Sequence, residues 1–115
     1  SGNSNGFDAG TFPNGRVASS TTDSKAFFIG SIIANNDRRL FRNGTQLNIS
    51  TTTFSQTLPN GNIFIFAINN LTIASAAYFG SKGCCLAVIM DGVTAAEVSI
   101  MQTLRNQYKL DCGIS

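Results

Sequence analysis

Six carboxylates and three thiols are the groups in this sequence best suited to acid–base or nucleophilic chemistry, and there is no histidine to work with them. Without His, Ser-His-Asp and Cys-His arrangements and most zinc sites fall away. Glycoside hydrolysis needs two carboxyls facing one bond across a cleft. The carboxylates here are Asp8, Asp23, Asp37, Asp91, Glu97 and Asp111. Glu97 stands three residues after Thr94, where it reads as a helix-capping residue. Asp91 and Asp111 flank the same segment as turn residues. Cys84 and Cys85 lie close to Lys82, but they open an apolar run and read as packing residues rather than activated thiolates. Gly80 and Gly83 match neither the P-loop nor the dinucleotide fingerprint and read as turn glycines. The sequence therefore predicts no catalytic residue, no metal and no cofactor.

Two weaker constellations concern binding. Asn35, Asn36 and Asp37 offer oxygen ligands in one loop, but one carboxylate is too few for a good calcium site, so an ordinary turn is the better reading. Asn69 and Asn70, with Tyr78, supply the polar planar groups and the aromatic that sugar sites use. These three are the candidate glycan-binding residues. Asn43-Gly44-Thr45, Asn48-Ile49-Ser50 and Asn70-Leu71-Thr72 match the glycosylation pattern, and they read as chance matches in an Asn/Thr-rich chain.

The elements that would position these residues are mostly strands. Ser1 to Ser24 is Gly-, Asn-, Ser- and Thr-rich and reads as an extended arm or first strands, with a turn at Pro13-Asn14-Gly15. Residues 25–115 read as the main domain. Lys25 to Ile33 is a strand rich in β-branched and aromatic residues, broken by Asn35-Asn36-Asp37. Arg39 to Ile49 is a hairpin turning at Asn43-Gly44, with Leu47 and Ile49 on its buried face. Thr51 to Leu58 is a further β-prone run, ended by Pro59-Asn60-Gly61. Asn62 to Ile68 and Cys84 to Met90 are apolar on both faces, which predicts strands covered on both sides. Leu71 to Phe79 is a strand set off by an Asn69-Asn70 turn. The final segment switches to helical spacing at about residues 94–110. Val98, Met101, Leu104 and Tyr108 form the docking stripe with Ala95, and Gly113 lies past the end.

Composition narrows the partners. The chain has 115 residues, enough for one core, and only 12% of them are charged against the ~25% of an ordinary domain. The net charge of +2 is too small for a nucleic-acid footprint, and the adjacent Arg38 and Arg39 read as a solvated hairpin end. No apolar run reaches the ~18 residues of a membrane span. The three cysteines argue against a complete disulfide framework and for free buried thiols, although one of the adjacent pair could bridge to Cys112. Folding in a reducing cytoplasm follows. Ser1-Gly2-Asn3-Ser4 carries no signal-peptide pattern and reads as an expression boundary, a processing product or the start of part of a longer protein.

From about Lys25 to Gly113 the chain resembles concanavalin A-like lectin/glucanase (laminin G-like) sandwich domains. The matching stretches are Leu40-Phe41-Arg42-Asn43-Gly44-Thr45-Gln46-Leu47, then Leu58-Pro59-Asn60-Gly61-Asn62-Ile63-Phe64-Ile65 followed by Asn69-Asn70. The last is Met90-Asp91-Gly92-Val93-Thr94-Ala95-Ala96-Glu97, which looks like the family's lead into a terminal helix. The resemblance implies a mostly β fold, an antiparallel jelly-roll sandwich with one C-terminal helix. It also implies a non-enzymatic structural or adhesion module of a virion or cell-surface appendage, such as a phage tail fibre or capsid-associated protein. Its partners would be other structural subunits in an oligomer and host-surface glycans, with no nucleic acid and no membrane insertion. The alternative is a carbohydrate-binding module of a secreted bacterial enzyme or adhesin.

Overall fold

The computed structural model of the chain describes residues 4–8, 16–21, 23, 25–54, 68–70, 75–77 and 86–114. The described elements are seven strands and one C-terminal helix. The chain divides into two compact units, Ser1–Gln56 with Asp91–Ser115, and Thr57–Met90.

The first unit is organised by a three-stranded antiparallel meander, β3 (Phe28–Ala34), β4 (Asp37–Arg42) and β5 (Thr45–Ser50), with β4 central. The Asn43-Gly44 turn joins β4 to β5 as its composition predicts. Asn43 has φ 49° and Gly44 φ 84°, the two positive angles that a two-residue hairpin of this twist requires. The Asn35-Asn36 turn joins β3 to β4. Each outer strand carries one extra residue against β4. The register passes from Ile32 to Ala34 opposite Arg38 and Asp37, and from Asn48 to Gln46 opposite Leu40 and Phe41.

The second shift changes what the hairpin buries. Uninterrupted alternation would put Leu47 and Ile49 on one buried face. Instead Leu47 is the extra residue and Ile49 sits opposite Arg39, so Leu47 is half-buried and Ile49 is exposed. Burial falls on β4 itself, where Arg38, Leu40 and Phe41 are all buried. Leu40 and Phe41 are consecutive in a strand and point to opposite sides. Both faces of the central strand are therefore covered.

Two elements provide that cover. On the Arg38/Leu40 face, Asn48 Nδ2 donates to the Ala18 carbonyl at 2.6 Å. This draws up β2 (Arg16–Ser20), which pairs in antiparallel fashion with β1 (Ser4–Asp8) and buries Val17. Helix α1 (Ala95–Asp111) is held to the first unit at its entry and again near its middle. At its entry the Ser31 hydroxyl, on the opposite face from Leu40, donates to the Val93 carbonyl at 2.7 Å and accepts the Val93 N–H at 2.8 Å. Beside it, Gly92 lies so close to β3 that a Cβ would fall within the Ile32 carbonyl. Farther along, Gln102 lies against Gly44, and the Arg105 guanidinium lies 5.9 Å from the Phe27 ring centre.

The ends of α1 follow the predicted chemistry. Thr94 is extended (φ −75°, ψ 166°) and its hydroxyl accepts the Glu97 N–H at 3.3 Å, while Glu97 Oε2 accepts the Thr94 N–H at 2.8 Å. Two otherwise orphaned donors are satisfied reciprocally. At the far end Gly113 turns left-handed (φ 66°). Its N–H reaches Leu110 O at 3.2 Å, and the Ile114 N–H reaches Lys109 O at 2.8 Å. This is the double closure that a glycine after a helix permits.

The second unit contains a two-stranded antiparallel pair, β6 (Ile68–Asn70) and β7 (Ser75–Ala77). Several sequence expectations change here and nearby. Asn69 and Asn70 belong to a strand rather than to the turn before one. Leu86–Met90 forms no strand, and Leu86, Val88, Ile89 and Met90 are exposed rather than doubly covered. Thr51–Phe54, expected to open a strand, is irregular. The expected strand over Asn62 to Ile68 lies outside the described residues except at Ile68, and the turns at residues 13–15 and 59–61 lie outside them too.

Candidate interaction surface

The predicted glycan residues are only partly placed. Asn69 and Asn70 are consecutive in β6, opposite Ala76 and Ser75 of β7. Tyr78 lies outside the described residues, as do Cys84 and Cys85. Cys112 carries a free, exposed thiol at the helix end.

In the oxygen-rich turn at residues 35–37, the Asn35 carbonyl and the Asp37 carboxylate are engaged by neighbouring groups. The Asn35 carbonyl accepts the Phe54 N–H at 3.1 Å and Arg38 Nη1 at 2.9 Å. Both Asp37 carboxylate oxygens accept from Arg39, at 2.6 and 2.7 Å. These hydrogen bonds hold the Asp37 carboxyl below its ordinary range and raise Arg39. Among the described residues no cluster of three potential ligands could hold a metal ion, and no helix is long and apolar enough to cross a membrane.

Arg38 departs most from its sequence reading. Expected as part of a solvated hairpin end, it is 0% exposed. The strand register supplies the reason. Arg38 sits opposite Ser50, whose hydroxyl accepts Nη2 at 2.9 Å, with the Asn35 carbonyl three residues back. The Phe54 ring lies 4.3 Å from the guanidinium carbon. A guanidinium stacks on an aromatic face and donates in a fixed fork, so this one ties β4, β5 and the following chain together. Only its neighbour Arg39 behaves as a half-exposed, ion-paired residue.

The helix carries the surface that most invites a partner. The expected docking stripe was Val98, Met101, Leu104 and Tyr108 with Ala95. The observed one is Val98, buried at 0% exposure, with Met101, Gln102, Arg105 and Lys109 half-buried. The two stripes share Val98 and Met101 and then diverge. The docked face uses the long stems of Gln102, at Gly44, and Arg105, beside Phe27, as apolar cover. Rotating the helix this way turns Ile100 and Leu104 outward, one turn apart, at 60% and 64% exposure, while Tyr108, Ala95 and Leu110 are exposed as well. Sequence periodicity finds the helix and its apolar residues but not which of them the sheet covers.

Compared with protein-family models, curated proteins and solved structures, the chain matches none. The class defined by the fold is thus a strand-rich chain with a three-stranded antiparallel sheet and one C-terminal helix.

Proposed function

We propose that this chain is a non-enzymatic structural or adhesion module of a virion or cell-surface appendage. In this reading it belongs to a concanavalin A-like, jelly-roll β-sandwich, folds in a reducing cytoplasm and works at the virion or extracellular surface. Its partners are other structural subunits. The observation that carries the reading is the outward apolar row of α1, Ile100 and Leu104, on a helix whose opposite side is already docked. Fully burying such a side chain is worth about 1.5–3 kcal/mol, so a subunit contact there gives a large return. The sparse charge supports the same reading, since the surface contains few ions to desolvate on assembly.

Light scattering across a concentration series tests it, on the wild type and on Leu104→Lys. The expected result is a discrete wild-type oligomer, a trimer above all, that dissociates in the variant while circular dichroism stays unchanged. A folded monomer at every concentration would remove the assembly reading. Weight would then move to a carbohydrate-binding module, which a glycan array would examine.

A further inference from the structure

Asn43 occupies the exposed tip of the β4–β5 hairpin, and Gly44 follows it. This dipeptide is chemically self-reactive. A glycine nitrogen, unshielded by any side chain, can attack the preceding carboxamide carbon. In this fold two hydrogen bonds to Phe27 fix Asn43 and restrict the rotation that the attack needs. The Asn43 N–H donates to the Phe27 carbonyl at 2.8 Å, and Asn43 Oδ1 accepts the Phe27 N–H at 3.0 Å. The second bond immobilises the electrophilic group itself. We infer that Asn43 is a gated modification site, converting spontaneously to aspartate and isoaspartate, with Phe27 as the gate.

The reaction needs only water. Hydroxide removes the Gly44 N–H proton, the nitrogen forms a bond to Asn43 Cγ, and the Cγ–Nδ2 bond breaks as ammonia leaves with a proton. The cyclic imide then takes up one water and opens at either carbonyl, to aspartate or to isoaspartate. Isoaspartate lengthens the main chain by one methylene within a two-residue turn. That turn depends on positive φ at residues 43 and 44 and on the pairing of Arg42 with Thr45. Its surroundings are also tight, since a Cβ on Gly44 would lie 3.3 Å from both Gln102 Cβ and Cγ. The isoaspartate product cannot re-form this two-residue turn, and either product leaves a permanent record that this end had opened.

Losing both Phe27 hydrogen bonds sets the gating factor at roughly 10–30-fold, the population ratio that two net hydrogen bonds of ordinary strength supply. The test follows conversion at Asn43 by peptide mapping with isoaspartate detection, at mildly alkaline pH, in the folded chain and in the same chain in urea. A free peptide covering residues 41–45 in both solutions removes the solvent effect. The expected result is conversion roughly 10–30-fold slower in the folded chain than in the peptide, with the difference abolished in urea. Phe27→Pro, which deletes the N–H donor and keeps the carbonyl, should move the folded rate toward that of the peptide. Phe27→Leu, which keeps the donor and loses the ring beside Arg105, should stay as slow as the wild type. A folded wild-type rate equal to that of the peptide overturns the inference, and so does a folded Phe27→Pro chain that stays slow. If Phe27→Pro does not fold, the comparison of folded chain, urea and peptide decides alone.

Discussion

Gly92→Ala should be among the most damaging single-methyl changes in this chain. Gly92 does not have a positive φ, so alanine suits its backbone, and the difficulty is space alone. The added Cβ would fall within the Ile32 carbonyl oxygen and 2.7 Å from the Ile32 carbonyl carbon. Both are main-chain atoms of β3, so no side chain can swing aside. The 92–93 segment must lift from the strand, and the paired Ser31–Val93 hydrogen bonds at 2.7 and 2.8 Å lengthen with it. Overpacking of this kind costs about 1–3 kcal/mol, and two hydrogen bonds at a nearly buried hydroxyl add about 1 kcal/mol each. The expected loss is about 3–5 kcal/mol, a large part of the ~5–15 kcal/mol that holds a domain together. Urea denaturation followed by far-ultraviolet circular dichroism would show it as a midpoint lower by about 2 M at an ordinary slope. Ser31→Ala, which strands the Val93 N–H and carbonyl without adding bulk, should lose about 1–3 kcal/mol. The double variant should lose less than the two single losses together, because both act on one contact. A Gly92→Ala midpoint within about 0.3 M of wild type would refute the close approach of this segment to β3.

Further expectations concern the helix and the hairpin. Thr94→Ala should cost about 1 kcal/mol by uncapping α1, read as a lower urea midpoint and a frayed first turn in amide exchange. Gly44→Ala should cost about 1–2 kcal/mol, because a side chain at positive φ is strained and Gln102 limits the room. Glu97 is held below its ordinary value, chiefly by the Thr94 N–H and then by the Thr94 hydroxyl, and Asp37 mainly by its hydrogen bonds from Arg39. Both carboxyls bind protons more weakly folded than unfolded. Their contribution is therefore complete above the unfolded values near pH 4 and disappears as pH falls through the folded ones. Urea midpoints taken downward from about pH 5 should fall, and the fall should be smaller in Glu97→Gln, which keeps a capping acceptor but does not titrate in this range.

What the sequence revealed of this fold was its local chemistry. Asn43-Gly44 and the Thr94/Glu97 pair act within a few residues, so the hairpin and the helix start are legible without knowing what surrounds them. Gly113 is legible for the same reason. Three of the misread features, at Arg38, Ile49 and Leu104, depend on partners elsewhere in the chain. Arg38 is buried because strand register sets it opposite Ser50 and Phe54 lies over it, and adjacent arginines alone cannot announce that. The extra residue at Leu47 reverses which neighbours share its face, so Ile49 emerges. Leu104 reads as a core residue because it stands three residues after Met101 and four before Tyr108, as a helix stripe requires. The sheet instead takes the side of the helix that carries Gln102 and Arg105. Of the proposed glycan residues, Asn69 and Asn70 lie in a strand, and Tyr78 lies outside the described residues.

The bond between Ser31 and Val93 joins residues 62 positions apart, and everything in Thr57–Met90 lies between them. The first unit is therefore discontinuous in sequence, with a whole unit spliced between its sheet and its helix. The free energy of closing such a loop depends only logarithmically on length, and doubling it costs about 0.6 kcal/mol. The meander can form from neighbouring residues, but the helix must wait for a long-range encounter, which places its docking late in folding. The same arithmetic leaves the spliced segment unusually free to change. Its length and composition can drift, or be replaced, while the closure that holds the helix on β3 loses only tenths of a kilocalorie. Variation among related chains should therefore concentrate between residues 57 and 90.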